Sequence, residues 1–219
     1  MPQKLDYKKE YKELYLPPVH PVLVSIPRMQ FLMVDGRGDP NVQGGEYQQA
    51  LELLYALTFT IKMSKMSARQ LPGYFEYVVP PLEGLWWLDD GTSIDFTQKE
   101  RFCFSSMIRQ PDFVTPEVVA WACEQASKKK PHLDYGKARL ADLEEGLCVQ
   151  MMHIGPYDDE PSSLARMESF VAEQGHISDV GTTLPDGFIR RHHEIYLGDP
   201  RKTSPERLKT VLRSPVKQG

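Results

Sequence analysis

"GLCVQMMHIGPYDDEPSSLARMESFVAEQG", residues 146–175, reads as an apolar strand, a glycine–proline turn and an amphipathic helix in immediate succession. Gly155 and Pro156 stop the strand, while Pro161 near the start and Gly175 at the end bracket the helix. The first half of the chain has the same order. "RMQFLMVDGRGDP" (28–40) is an apolar run closed by Gly36, Gly38 and Pro40, and the loop "NVQGG" leads into "EYQQALELLYALTFTIK" (46–62). There Tyr47, Ala50, Leu51, Leu54, Thr58 and Ile61 recur at intervals of three and four, the apolar stripe of one helix.

Strand-like runs follow each helix. "GYFEYVVPPLEGLWWLDD" (73–90) gives two, broken at Pro80 and Pro81, and "ERFCFSSMIRQ" (100–110) gives a third. "GFIRRHHEIYLGDP" (187–200) holds one or two more. "TPEVVAWACEQASKKK" (115–130) starts as a helix, with Thr115 as cap and Pro116 at the first helical position, and its lysines suit a helix C-terminus. Ser204 and Pro205 in "SPERLKTVLR" (204–213) predict a closing helix. The expectation is an α+β fold of duplicated βαββ units, about 22–109 and 146–198, with antiparallel sheets, helices outside and a ligand groove between the halves. Residues 1–20, charged and then proline-bounded, form an arm, and 21–219 form one domain ending in a C-terminal helix.

Composition narrows the function. The 219 residues are 41% hydrophobic and 26% charged, as in ordinary globular proteins, and no apolar run approaches the roughly 20 residues that span a bilayer. No apolar signal core stands at the N-terminus, so a cytoplasmic location is expected. Cys103, Cys123 and Cys148 have no metal-site spacing and read as structural thiols. A net charge of −4 gives no basic field for nucleic acid. The glycines of "DGRGDP" match no phosphate-binding loop, and neither HExxH nor GxSxG occurs.

"HHEIYL" (192–197) is the most informative short segment. In a strand His192, Glu194 and Tyr196 share one face, and His193, Ile195 and Leu197 the other, so the two histidines do not share a metal. Ile195 and Leu197 face a core, which leaves Glu194 between an imidazole and a phenol. At least one of Trp86 and Trp87 faces away from the helix, and Phe102 and Phe104 alternate in the next strand. A groove between two such units would be aromatic with a few polar groups.

"PPLEGLWW" (80–87), "EEGLCVQMMHIGPYDDEP" (144–161) and "HHEIYLGDPRKTSPERLKTVLR" (192–213), in this order, resemble the GyrI-like family of small-molecule-binding proteins. The resemblance spans most of residues 20–213. It implies two βαββ halves around a ligand groove and a glutamate of the last strand, here Glu194, reaching into it. In related effector-binding domains such a glutamate meets cationic aromatic drugs. The chain also resembles a stand-alone subset, the cyclopropanoid cyclopropyl hydrolases, which open strained rings of alkylating natural products. The partners this implies are amphipathic aromatic small molecules, with no cofactor, no metal, no direct nucleic acid and no membrane; a homodimer stays open.

Opening such a ring by water needs a base at the electrophilic carbon and a donor at the developing oxyanion. A carboxylate partly desolvated among aromatic rings gains basicity, so Glu194 is the candidate base. Tyr157 is the candidate donor, with Tyr135, Tyr196 and His153 as competitors. Trp86, Trp87, Phe104, His153 and Tyr196 are candidate ligand contacts. Glu83 is either a second groove carboxylate or a turn acid. The bland readings stand beside these: tryptophans fill cores, Tyr157 packs on a helix start, and His192 and His193 serve as hydrogen-bonded structural residues. An enzyme and a non-catalytic binder that sequesters or senses such molecules share this groove and part on chemistry.

Overall fold

A computed structural model describes residues 4–66 and 71–219. In chain order the elements are α1 (Tyr7–Glu10), α2 (Lys12–Tyr15), β1 (Val22–Ile26), β2 (Met29–Arg37), α3 (Glu46–Lys62), β3 (Leu82–Leu88), β4 (Phe102–Arg109), α4 (Pro116–Ser127), β5 (Ala138–Leu143), β6 (Gly146–Ile154), α5 (Glu160–Glu173), β7 (His176–Ser178), β8 (His192–Tyr196) and β9 (Lys209–Gln218). The fold is α+β, and its strands form one antiparallel sheet ordered β1-β6-β9-β8-β3-β4-β2-β5, with β7 pairing the end of β9.

That order encodes the duplication. In the first unit, β2-α3-β3-β4, the third strand inserts between the first and second; in the second unit, β6-α5-β8-β9, β9 inserts between β6 and β8 in the same way. The units meet strand to strand where β3 pairs with β8, Gly84 opposite Glu194 and Trp86 opposite His192. Opposed residues in antiparallel strands share a face. Met151, Leu212, Glu194, Gly84, Ser106 and Val34 therefore lie in one row across both units.

Both main helices cover that face. α3 buries Leu53, Leu54, Leu57 and Ile61, spaced by one, three and four, against β2 and β4. α5 sets Met167 and Val171 over Val149, Met151 and Leu212, against β6, β7 and β9. Between them, β3 and β8 floor the junction of the halves. α4 packs on α3 and begins as expected, Val118 N–H donating to the Thr115 hydroxyl at 3.4 Å.

The opposite face is closed by the N-terminal arm. Leu14 and Tyr15 of α2 are buried, the Arg213 guanidinium donates to the Leu14 carbonyl, and the Gln150 amide donates to that of Glu13. That face is thereby a second interior.

Three expectations need correction. The C-terminal segment is no helix: Ser204 and Pro205 start only a 3-10 turn over Pro205–Arg207, after which Lys209–Gln218 runs as β9 between β6 and β8. Hydrogen bonding on both edges and burial of Thr210–Arg213 outweigh the local helix-start signal. The second unit thus reaches residue 218 rather than 198, and the first starts at Met29, because β1 pairs with β6 of the other unit. Of the two runs in 73–90, only Leu82–Leu88 is a strand; the earlier one contributes a single bridge, Leu5 to Tyr77.

Candidate functional site

The junction of β3 and β8 carries a chain of hydrogen bonds built by strand alternation. Trp86 Nε1–H donates to the Tyr196 hydroxyl at 2.8 Å, and that hydroxyl donates to Glu194 Oε2 at 2.7 Å. Gly84 makes room for this. A Cβ there would sit 2.8 Å from Trp86 Nε1 and 3.5 Å from the Tyr196 oxygen. Trp86 is in turn fixed by rings on three sides, with Tyr47 at 5.4 Å, Phe104 at 5.6 Å and Phe102 at 5.7 Å between centroids.

Glu194 is 5% exposed. From α3, Tyr47 stands over it, and from the turn before α5, Tyr157 meets the Tyr196 ring edge-on at 5.8 Å. Burial, then the charges of Glu160 and Glu194, push the Tyr157 phenol up to about 12. Burial and the Glu194 charge raise Tyr47 and Tyr196 further. All three phenols are therefore proton donors across the ordinary pH range.

The sequence reading missed the second carboxyl. Glu160, the first residue of α5, is fully buried against Glu194 and Thr210, and neither of its oxygens makes a well-aligned hydrogen bond among the described residues. Burial, then the Glu194 charge, raise its pKa well above the carboxylate range, so it carries a proton beside Glu194. The only sequence signal was an acid in a helix first turn, usually a solvated dipole partner.

His153 sits one step away. Its Nε2 faces the Pro156 carbonyl and its Nδ1 the Ser163 hydroxyl, both at 3.0 Å, which ties strand β6 to the turn that presents Tyr157. It positions that tyrosine and does not reach Glu194. Tyr135 is elsewhere, donating to the Lys130 carbonyl.

Glu83 and Trp87 do not join this group, because odd positions of β3 point to the opposite face. Trp87 lies under the Arg191 guanidinium at 4.8 Å. Glu83 accepts from the Tyr15 hydroxyl at 3.3 Å and pairs with His193 Nε2 at 3.0 Å. His193 Nδ1 faces Glu145 at 3.0 Å, and Glu145 also pairs with buried Arg213 at 3.0 Å. Burial opposes charge on His193, but the two glutamates outweigh it and raise its pKa; burial likewise opposes charge on Glu145, but His193 and Arg213 hold it at about 2. The result is a buried network of two glutamates, a histidine and an arginine that seats the arm. Among the described residues no three His, Cys, Asp or Glu side chains converge to hold a metal ion.

Two clefts flank the junction. One of about 630 Å³ runs past His153, Asp158, Ser163 and Arg166. The other, about 380 Å³, lies beside α5 between Ile94, Leu164, Met167 and Val171, with His192 in its wall.

Residues 20–217 match the GyrI-like small molecule binding domain. The chain belongs to the GyrI-like family. A structure described as a hydrolase from Listeria innocua is 48% identical, covering 98% of this chain and 100% of that one, with a TM-score of 0.85. An uncharacterized conserved protein from Listeria innocua is 49% identical over the same shares, with a TM-score of 0.89. The EcmrR C-terminal domain is similar in fold at 12% identity, covering 91% of this chain and 98% of that one, with a TM-score of 0.53. No match was found among curated proteins. As a GyrI-like domain the chain binds small molecules, and none of its described helices is long and apolar enough to cross a membrane.

Proposed function

We propose that this GyrI-like protein is a cofactor-free hydrolase that adds water across a strained, conjugated ring of an amphipathic aromatic compound, a cytoplasmic detoxification of cyclopropanoid alkylators. The observation that carries this reading is the Trp86–Tyr196–Glu194 chain, which aims one buried carboxylate while donors hold their protons around it. The relation to a hydrolase at 48% identity over nearly the whole chain supports it.

The chemistry follows from the groups present. A flat ligand stacks among Tyr47, Trp86 and Tyr157. Glu194 Oε1 takes a proton from water as the water oxygen bonds the ring carbon. The breaking carbon–carbon bond sends its electron pair to the distal carbonyl of the ligand, where Tyr157 O–H stabilises the oxyanion until it is protonated. Tyr196 holds Glu194 Oε2, and the water is taken at Oε1, which has the His192 ring 3.3 Å away. Protonated Glu160 adds no second charge beside the base.

The non-catalytic reading keeps one specific support: a carboxylate walled by aromatic rings suits a cationic aromatic guest. Mixing the protein with a cyclopropane-containing indole compound and following product mass separates the two. A gain of one water supports hydrolysis, and bound but unchanged compound supports sequestration or sensing.

A further inference from the structure

A base buried this deeply must also be unloaded. After water attacks, Glu194 holds a proton, and the phenols around it together with Glu160 already carry theirs. Among the described residues a basic atom is in reach. His192, two residues back on the same strand face, places Nε2 3.3 Å from Glu194 Oε1, on the oxygen that Tyr196 does not occupy. This nitrogen makes no well-aligned hydrogen bond among the described residues, the approach to Oε1 being a close contact, and the imidazole is 3% exposed. Its Nδ1 lies 3.1 Å from the Ser214 hydroxyl on β9, and both His192 and Ser214 line the 380 Å³ cleft beside α5. Glu194, Glu160, Tyr47, Tyr157 and Tyr196 thus sit on one side of the ring, and the open cleft on the other.

We propose that His192 is the proton relay of the site, carrying the proton from Glu194 Oε1 through its ring to Ser214 and the water of the cleft. The proton arrives at Nε2 as Nδ1–H is released toward Ser214, so the imidazole returns to neutral and Glu194 to carboxylate with no other reactant. The released proton balances the one the product oxyanion takes from solvent. The groups facing this path are Glu194 on β8, Ser214 on β9, Glu168 on α5 and His176 on β7; His193 and Arg191 point to the other face. Trp86 of β3, opposite His192, carries no titratable proton. This inference rests on the hydrolytic reading for its rate effect, but the linkage between His192 and Glu194 is measurable without turnover.

Two measurements decide it. In wild type and Glu194→Gln, the His192 ring nitrogens are followed by nitrogen NMR; a change in the Nε2 signal when the carboxylate is removed is expected, and identical ring-nitrogen signals overturn the relay. In His192→Gln, with Ser214→Ala beside it, kcat is expected to fall about tenfold or more with KM unchanged, and free imidazole small enough to enter the cleft restores part of it. A His192→Gln enzyme within twofold of wild type in imidazole-free buffer overturns the relay. If wild type hydrates no ring compound, the hydrolytic reading falls while the NMR result still decides the linkage.

Discussion

The Tyr196 hydroxyl donates to Glu194 Oε2 at 2.7 Å, from a side chain two residues further along the same strand face. A single alternation therefore supplies both a carboxylate and the group that aims it. Tyr196→Phe removes that hydrogen bond and leaves the ring. A hydrogen bond to a charged group contributes about 1.5–3 kcal/mol to stability, and Trp86 Nε1–H loses its acceptor as well, so the Tm should fall, and ring-opening kcat should drop by about tenfold or more in the protein that remains folded. Steady-state kinetics below the melting range, beside a thermal melt, checks this; a lowered Tm with unchanged kcat would make the bond purely structural.

Gly84 faces Glu194 across the β3–β8 ladder because nothing larger fits beside Trp86. Gly84→Ala puts a methyl 2.8 Å from Trp86 Nε1, so the indole must turn and break its bond to Tyr196. The expected cost is about 1–3 kcal/mol of overpacking, visible in urea unfolding, together with weakened ligand binding. Unchanged stability and binding would show that Trp86 moves freely.

Glu160 is a pH-dependent liability. Its folded pKa is raised, so between the ordinary carboxylate value and the folded one the native state binds the extra proton, and stability falls as pH rises through that interval. Glu160→Gln keeps the shape and removes the titration. Its Tm should equal that of wild type near pH 4 and exceed it increasingly toward neutrality; a parallel pair of Tm curves would contradict the assignment.

The network on the other face has the opposite character. Glu145, held at about 2 against an ordinary 4.5, contributes stability that is complete above 4.5 and lost as pH falls toward 2. His193 is raised from 6.5, so its contribution is complete below 6.5 and lost as pH climbs through the folded value. Both operate together between those limits. Arg213→Met, which leaves Glu145 without its guanidinium and Leu14 without its donor, should cost about 3–5 kcal/mol in denaturant unfolding. Amide exchange in residues 12–16 should quicken above the His193 transition; exchange independent of pH, after correction for the intrinsic rate, would separate the arm from this network.

Much of this was legible in residue order. Alternation in "HHEIYL" placed Glu194 and Tyr196 opposite His193 and Ile195; the periodic apolar positions of α3 and the Pro161 and Gly175 that bracket α5 located both helices. What alternation does not carry is cover. β3, β8 and β9 are buried on both faces, so Glu83, His193 and Arg213 form a buried network under the arm. For the same reason "LKTVLR" lacks a clean period of two, and the Ser204–Pro205 signal prevailed in reading it as a helix. Glu160 was hidden because depth below a sheet junction is a property of the packed halves, invisible in a helix first turn.

The most direct test of the central claim is single-turnover hydration of a cyclopropane-containing indole compound, with wild type and Glu194→Gln compared by product mass. Gain of one water with wild type and its near absence with the variant is the predicted result. Equal turnover by both, or tight binding of unchanged compound by both, would contradict the assignment of Glu194 as the base that activates water.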